Sequence, residues 1–231
     1  MMFRMHMNRY GTTQDQLGEV AVTFREHGQL NPLAVRREPM TIDDYRNSRL
    51  VCEPLRLFDY CQINDGGVAL IMTSLDRAFD LAKLPVRMAG VGMADALANS
   101  SIPPSDFWYP ALERCAQQVY GSSGINRDDV DALMVYDNFT PTVLFTLEGM
   151  GFCGPGESGA FVEGGRLGLR GALPSNTSGG HLSESYMQGW ALNVEAVRQL
   201  RSECGARQVT RCEVVQYVSA TPRCISIIYT R

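Results

Sequence analysis

Basic charge is what this sequence most plainly lacks: 21 lysines and arginines stand against 25 aspartates and glutamates, a net charge of -4. A chain so balanced carries no electrostatic footprint for nucleic acid or for an anionic membrane surface. Long apolar runs are also missing. None is long enough to span a bilayer, and the opening Met1-Met2-Phe3-Arg4-Met5-His6 lacks the apolar core of a secretory leader, so a cytoplasmic location is the expectation. Histidine is scarce at three residues, and the seven cysteines contain no Cys-x-x-Cys pair, so no zinc site is expected. The cysteines read as small buried hydrophobes. Cys153 stands apart from them, because Gly151-Phe152-Cys153-Gly154 opens a glycine-rich loop. No metal is implied. What is present is an ordinary globular composition, 45% hydrophobic and 20% charged over 231 residues, enough for one large domain or two small ones.

One stretch organises the rest. Val130-Asp131-Ala132-Leu133-Met134-Val135 has the length and β-branched content of a buried strand, and Tyr136-Asp137-Asn138-Phe139-Thr140-Pro141 follows it. Pro141 suits the first turn of a helix, with Thr140 as its cap. Tyr136 therefore sits where a strand's carboxyl end meets a helix's amino end, the usual place for ligands in open α/β sheets. A second stretch of the same character, Asn176-Thr177-Ser178-Gly179-Gly180-His181-Leu182-Ser183-Glu184-Ser185-Tyr186, also leads into a helix. The two tyrosines are expected to face one another across one site.

Taken in order, Thr13-Gln14-Asp15-Gln16 fits a capping box and predicts a helix over 13–27, ended by Gly28. Residues 29–64 are irregular, with a short helical candidate at 42–48 and with Arg36, Arg37, Arg46, Arg49 and Arg56 along it. A connection of that length reads as a functional loop or lid. Its arginines are either solvated or placed to meet the phosphates of a nucleotide-tailed substrate. A turn at Asn64-Asp65-Gly66-Gly67, a buried strand over 68–72, a helix over 74–81 and a strand over 86–91 follow. The Ala, Asn, Ser and Pro rich run after Asp95 marks a domain boundary, dividing the chain into 1–100 and 101–231. Beyond it, Asp106 caps a helix with Leu112, Cys115, Ala116 and Val119 on its core face and Gly121 at its end. A helix over 142–150, a glycine-rich loop over 151–168, a helix over 187–200 with Ser183 and Ser185 as caps, and strands over 213–218 and 224–229 complete an α/β order. Helices covering a mixed sheet are the architecture this supports.

Several phrases together resemble the thiolase superfamily, in particular the sterol-carrier-protein type thiolases and their lipid-transfer relatives. They are Tyr10-Gly11-Thr12-Thr13, Glu53-Pro54-Leu55-Arg56-Leu57-Phe58-Asp59, Asn64-Asp65-Gly66-Gly67-Val68-Ala69, Tyr136-Asp137-Asn138-Phe139-Thr140, Gly159-Ala160-Phe161-Val162-Glu163-Gly164 and Asn176-Thr177-Ser178-Gly179-Gly180. The resemblance implies a layered α-β-α thiolase-like fold. Residues 1–100 would be the later part of the N-terminal half with its lid loop, and 101–231 the complete C-terminal half. The segment bearing the thiolase nucleophilic cysteine would lie upstream of Met1. Thiolases place an asparagine or histidine at the first site and the histidine of a Gly-His-Pro motif at the second. Here those positions look like Tyr136 and Tyr186, and the late Cys-x-Gly-Gly-Gly segment is replaced by Ser219-Ala220-Thr221-Pro222-Arg223-Cys224.

A tyrosine pair at those positions resembles the steroid side-chain aldolases of bacterial sterol degradation. These keep the thiolase fold and cleave a β-hydroxyacyl-CoA by a retro-aldol reaction, with a partner carrying an OB fold and a zinc ribbon. The resemblance implies catalytic roles for Tyr136 and Tyr186, homodimerisation, and coenzyme A only as part of the substrate. A phenol can donate a hydrogen bond or accept a proton as phenolate, although its ordinary pKa is about 10. A helix amino terminus favours the phenolate and apolar burial opposes it. Asp137 and Asn138 either orient Tyr136 or cap a helix, and His181 is a structural or orienting group. A thiolase or acyltransferase reading would instead require Cys153 or Cys224 as thiolate. A third reading is a non-catalytic half that completes another thiolase-like chain.

Overall fold

The computed structural model describes residues 1–96 and 104–231. The boundary expected between 100 and 101 lies outside the described residues. The chain opens with α1 (Met2–Tyr10), a helix that starts without a side-chain cap to announce it. Its inward residues are Phe3 and His6, and Gly11 ends it in the left-handed region at φ 78°. Helix α2 (Gln14–Gln29) begins on the capping box read from sequence, with the Thr13 hydroxyl accepting from the Gln16 N–H. It runs past Gly28 to Gln29 because Gly28 lies against Ser183 and the backbone of Arg36, where a helical glycine permits the approach.

The lid region contains α3 (Ile42–Asn47), capped by Thr41 and Asp44, and a small hairpin of β1 (Leu50–Cys52) and β2 (Leu55–Arg56). Tyr45 is fully buried and donates its hydroxyl to Asp59. Residues 68–72 do not form the expected buried strand: the stretch is irregular, with Ile71 94% and Met72 79% exposed. Apolar composition does not make a strand without a neighbour to take its backbone hydrogen bonds. Among the described residues nothing pairs with this segment. Helix α4 (Leu75–Phe79) follows and buries none of its residues.

The main sheet holds β3 (Arg87–Asp95), β4 (Ala132–Val135), β5 (Val214–Ser219) and β6 (Arg223–Thr230) in the order β3-β6-β5-β4. β4 runs parallel to β5, and the other pairs are antiparallel, so the sheet is mixed as its sequence implied. At the free edge, outward N–H groups of Val91 and Met93 donate to Ser122 and Gln118 of α5 (Tyr109–Ser123), which covers the edge against stray pairing.

Helix α5 buries Ala111, Leu112, Cys115, Ala116 and Val119, the expected face, but continues through Gly121 and ends on Gly124 at φ 69°. Asp106 accepts from the Trp108 N–H just ahead of it. Helix α6 (Thr140–Gly149) is buried on nearly every side. One core cluster joins α1, α2, α5 and α6 to Leu133, Val135, Val218 and Ile228 on one sheet face. On the other face, α9 (Trp190–Leu200) packs Leu192, Ala196 and Leu200 against Met134, Val215 and Tyr217. Helices on both faces give the layered α-β-α arrangement. Two short helices, α7 (Ser158–Val162) and α8 (Gly180–Ser183), interrupt the loops.

Candidate active site

β4 ends at Val135, and one more ladder bond, Tyr136 N–H to the Val218 carbonyl at 2.8 Å, carries Tyr136 past the strand's end. The Asn176 side chain brackets the preceding residue. Its Oδ1 accepts from the Val135 N–H at 2.7 Å, and its Nδ2 donates to the Val135 carbonyl at 2.9 Å, as a neighbouring strand would. Asn176 itself sits at φ 43°. The two stretches singled out from sequence are thus joined directly, by the Asn176 side chain on the Val135 backbone.

The tyrosine hydroxyls meet. Tyr136 Oη lies 2.7 Å from Tyr186 Oη, and the Tyr186 N–H donates to Asn64 Oδ1 at 3.0 Å, which ties the lid loop to the site. Burial raises the Tyr136 phenol above its ordinary range, and the hydrogen bond with Tyr186 raises it further. Of the two effects weighed from sequence, burial is the one that acts on this phenol, and it opposes the phenolate.

Asp137 is fully buried, and its carboxylate accepts from the N–H groups of His181 (2.9 Å) and Leu182 (3.3 Å) at the start of α8. Burial raises it to about 7, against those backbone donors and Asn176. Asn138 Oδ1 accepts from the Thr142 hydroxyl at 2.9 Å, within the first turn of α6. Both residues therefore hold helix ends, and neither has a hydrogen bond to the Tyr136 hydroxyl. Thr140 does not cap α6; its hydroxyl donates to buried Asp59, and Phe139 occupies the cap position. Ser183 and Ser185 do not cap α9, whose cap position is Gly189; the Ser183 hydroxyl accepts from Arg25.

His181 stands edge-on to both phenols, with ring centroids 4.7 Å from Tyr136 and 5.1 Å from Tyr186. Its Nε2 accepts from the Gly189 N–H at 3.1 Å, which assigns the ring hydrogen to Nδ1, 3.4 Å from Asp137 Oδ1. Burial lowers the imidazole to about 3, so it is neutral at ordinary pH. Cys153 is not brought to this site. It lies beyond the far end of α6, in a separate cavity of about 710 Å³ with Tyr109, Arg127 and Glu148, and burial raises its thiol to about 12.

Two residues of the site carried no sequence signal. Gln188 places its Oε1 3.4 Å from the Tyr136 hydroxyl, and Tyr217 on β5 closes over Gly189 beside it. The lid arginines divide: Arg46 pairs with Asp15 and Asp43, Arg56 donates to the Ser48 carbonyl, Arg36 donates to Gln62, and Arg37 and Arg49 are exposed. Among the described residues no three or more His, Cys, Asp or Glu side chains converge closely enough to hold a metal ion. Nor is any helix among them long and apolar enough to cross a membrane.

The chain is similar to proteins of known family. The family described as thiolase C-terminal domain-like matches residues 94–221. A steroid side-chain-cleaving aldolase of Thermomonospora curvata is 41% identical over 206 residues, 87% of this chain and 53% of that protein. A 17-hydroxy-3-oxo-4-pregnene-20-carboxyl-CoA lyase of Mycobacterium tuberculosis is 39% identical over 212 residues, with the same two shares, 87% and 53%. Among solved structures, the Ltp2-ChsH2(DUF35) aldolase is 37% identical with a TM-score of 0.91, covering 98% of this chain and 61% of that one. A monomeric SCP2-thiolase-like protein from Mycobacterium smegmatis, 17% identical with a TM-score of 0.69, shares the fold. The chain spans about half the length of the curated relatives it matches. Since the family match takes in more than half of its residues, this chain belongs to the thiolase superfamily, in the thiolase C-terminal domain-like family.

Proposed function

We propose that this chain supplies the tyrosine-bearing part of the active site of a carbon-carbon lyase, which cleaves a β-hydroxyacyl-CoA of the steroid side-chain class into a ketone and a shorter acyl-CoA. The single observation that carries the reading is the 2.7 Å contact between the hydroxyls of Tyr136 and Tyr186, at the positions where thiolases resemble this chain but hold other residues. The names of the similar aldolase and lyase support the substrate class.

In the retro-aldol step the β-hydroxyl gives up its proton and its oxygen becomes the ketone carbonyl. The bond between the α and β carbons breaks, its electron pair passes into the thioester as an enolate, and the α-carbon is then protonated. The proton lost and the proton gained balance, so the pair can act as relay, acid and base jointly. Burial keeps the Tyr136 phenol protonated, which suits a relay in which no free phenolate accumulates. His181, neutral and edge-on, walls the pair and orients the turn beyond it. Acyl transfer through Cys153 or Cys224 is disfavoured, because burial raises these thiols to about 12 and about 11. The reading extends to a homodimer and to an OB-fold and zinc-ribbon partner, for which the name of the similar Ltp2-ChsH2(DUF35) assembly is the support.

The test is product analysis with a steroid side-chain β-hydroxyacyl-CoA and no added free coenzyme A, using the full-length protein with and without such a partner. Release of ketone and shortened acyl-CoA is expected, and Tyr136→Phe or Tyr186→Phe should each cut turnover about 100-fold or more while leaving fold and partner binding intact. Unchanged cleavage in both variants would remove the tyrosines from the chemistry.

A further inference from the structure

The turn after Tyr186 is held more tightly than a connecting loop requires. Gln188 occupies the left-handed region at φ 54°, which a non-glycine residue adopts only when its surroundings impose it. Gly189, at φ 84°, is boxed in: a Cβ there would overlap the Tyr217 hydroxyl and press on the Tyr136 ring. Its N–H donates to His181 Nε2 at 3.1 Å, and its carbonyl accepts from Asn193 Nδ2 at 2.8 Å. Asn193 is fixed in turn by the Tyr229 hydroxyl at 2.8 Å. The outcome of these constraints is one contact, Gln188 Oε1 to the Tyr136 hydroxyl at 3.4 Å.

We infer that Gln188 is a positioning residue that sets the direction of the hydrogen within the tyrosine pair, with Tyr136 donating to its carboxamide oxygen and Tyr186 donating to Tyr136. A carboxamide oxygen only accepts, so the hydrogen in the contact with Gln188 is the one that Tyr136 owns. The 2.7 Å contact between the phenols is then supplied by Tyr186, whose oxygen keeps its lone pairs open to a substrate hydroxyl. This assignment rests on the retro-aldol reading and divides the roles within it. The substrate β-hydroxyl proton goes to Tyr186, the Tyr186 hydrogen goes to Tyr136, and the Tyr136 hydrogen, released from Gln188 by rotation about its C–O bond, goes to the enolate α-carbon. Each oxygen gains and loses one hydrogen, so no charge is left on a buried phenol. Tyr186, Tyr217 and Cys61 are the other titratable side chains close to Tyr136, with His181 edge-on and neutral.

Three substitutions separate acceptor, donor and shape in the full-length protein. Gln188→Glu keeps an acceptor and should retain kcat within about threefold, whereas Gln188→Leu, which has none, should lose about tenfold in kcat with little change in KM. Gln188→Lys, a donor only, should fall at least as far. Equal activity of the leucine and glutamate variants would overturn the assignment. A second readout needs no turnover: the Tyr136 ζ-carbon chemical shift at neutral pH, identified by its absence in Tyr136→Phe, reports the hydrogen bond donated by the neutral phenol. It should move in opposite directions in Gln188→Glu, a stronger acceptor, and Gln188→Leu, which has none, and an unmoved shift in both overturns the positioning role. Loss of the retro-aldol reading would show separately, as cleavage that survives Tyr136→Phe and Tyr186→Phe.

Discussion

Asp137 illustrates how one side chain can serve a site without touching its reacting atoms. Its carboxylate accepts two backbone hydrogen bonds at the start of α8, and so fixes the loop that carries Tyr186. Because burial raises it from 3.8 to about 7, this carboxylate costs stability in its ionised form. Below its unfolded pKa the group is protonated in both states. As pH rises toward 7 the unfolded chain releases the proton first, so stability is lost through that window and the loss is complete above it. The thermal midpoint of the wild type, measured from pH 4 to pH 8, should therefore fall more steeply than that of Asp137→Asn. Parallel curves would show that another group titrates. The candidate residues themselves were legible: the strand-to-helix junction pointed to Tyr136, and its polar, glycine-rich counterpart to Tyr186. Gln188 and Tyr217 were not, because an exposed glutamine and a tyrosine on a strand look the same whether or not a turn folds over them.

At the scale of elements, local sequence signals succeeded where the element closes its own hydrogen bonds. The capping box at Thr13 and the apolar face of α5 are both realised, since helices need only their own chain and a surface to lie on. The stretch 68–72 failed for the opposite reason, because a strand is defined by its partner. Glycine positions divide along the same line. A Cβ on Gly92 would overlap the Cys115 carbonyl of α5, whereas one on Gly121 meets nothing within 4 Å. Gly92→Ala should therefore destabilise by about 1–3 kcal/mol through forced separation of β3 from α5. Gly121→Ala, inside the same helix, should stabilise by up to about 1 kcal/mol. Urea titrations of both variants check the contrast, and similar midpoints for the two would refute the close approach.

At the scale of the molecule, Glu148 ties four helices together. Its carboxylate takes hydrogen bonds from Ser158 on α7 and Tyr109 on α5, and both of its oxygens lie 3.2 Å from Nε2 of His6 on α1. Burial alone would raise its pKa, but the bonds from His6, Ser158 and Tyr109 outweigh it and hold the carboxyl at about 2. Its stabilising contribution is present above the unfolded value of 4.5 and is lost as pH falls through about 2. Glu148→Gln should cost about 1–3 kcal/mol at neutral pH, by leaving buried groups poorly paired. The wild type's advantage over it should vanish toward pH 2. A constant difference across that range in guanidinium unfolding would exclude the carboxylate as its source.

The sequence by itself determined the class of fold, the mixed order of strands and helices, the superfamily, and the two tyrosines at its junctions, because these rest on periodicity, turn residues and short motifs that act over a few positions. The tertiary structure decided what each side chain meets. It placed the phenols in hydrogen-bond contact, set Asp137 and Asn138 to hold helix ends, removed Cys153 to another cavity, and folded the Gln188 turn onto Tyr136. Apart from the Asn138 contact, which stays within four residues, those that build the site join segments 41 to 52 residues apart, as Asn176 does beside Val135. Burial then fixed the protonation of the groups that met, and no local pattern encodes how much water a neighbour from elsewhere in the chain will exclude.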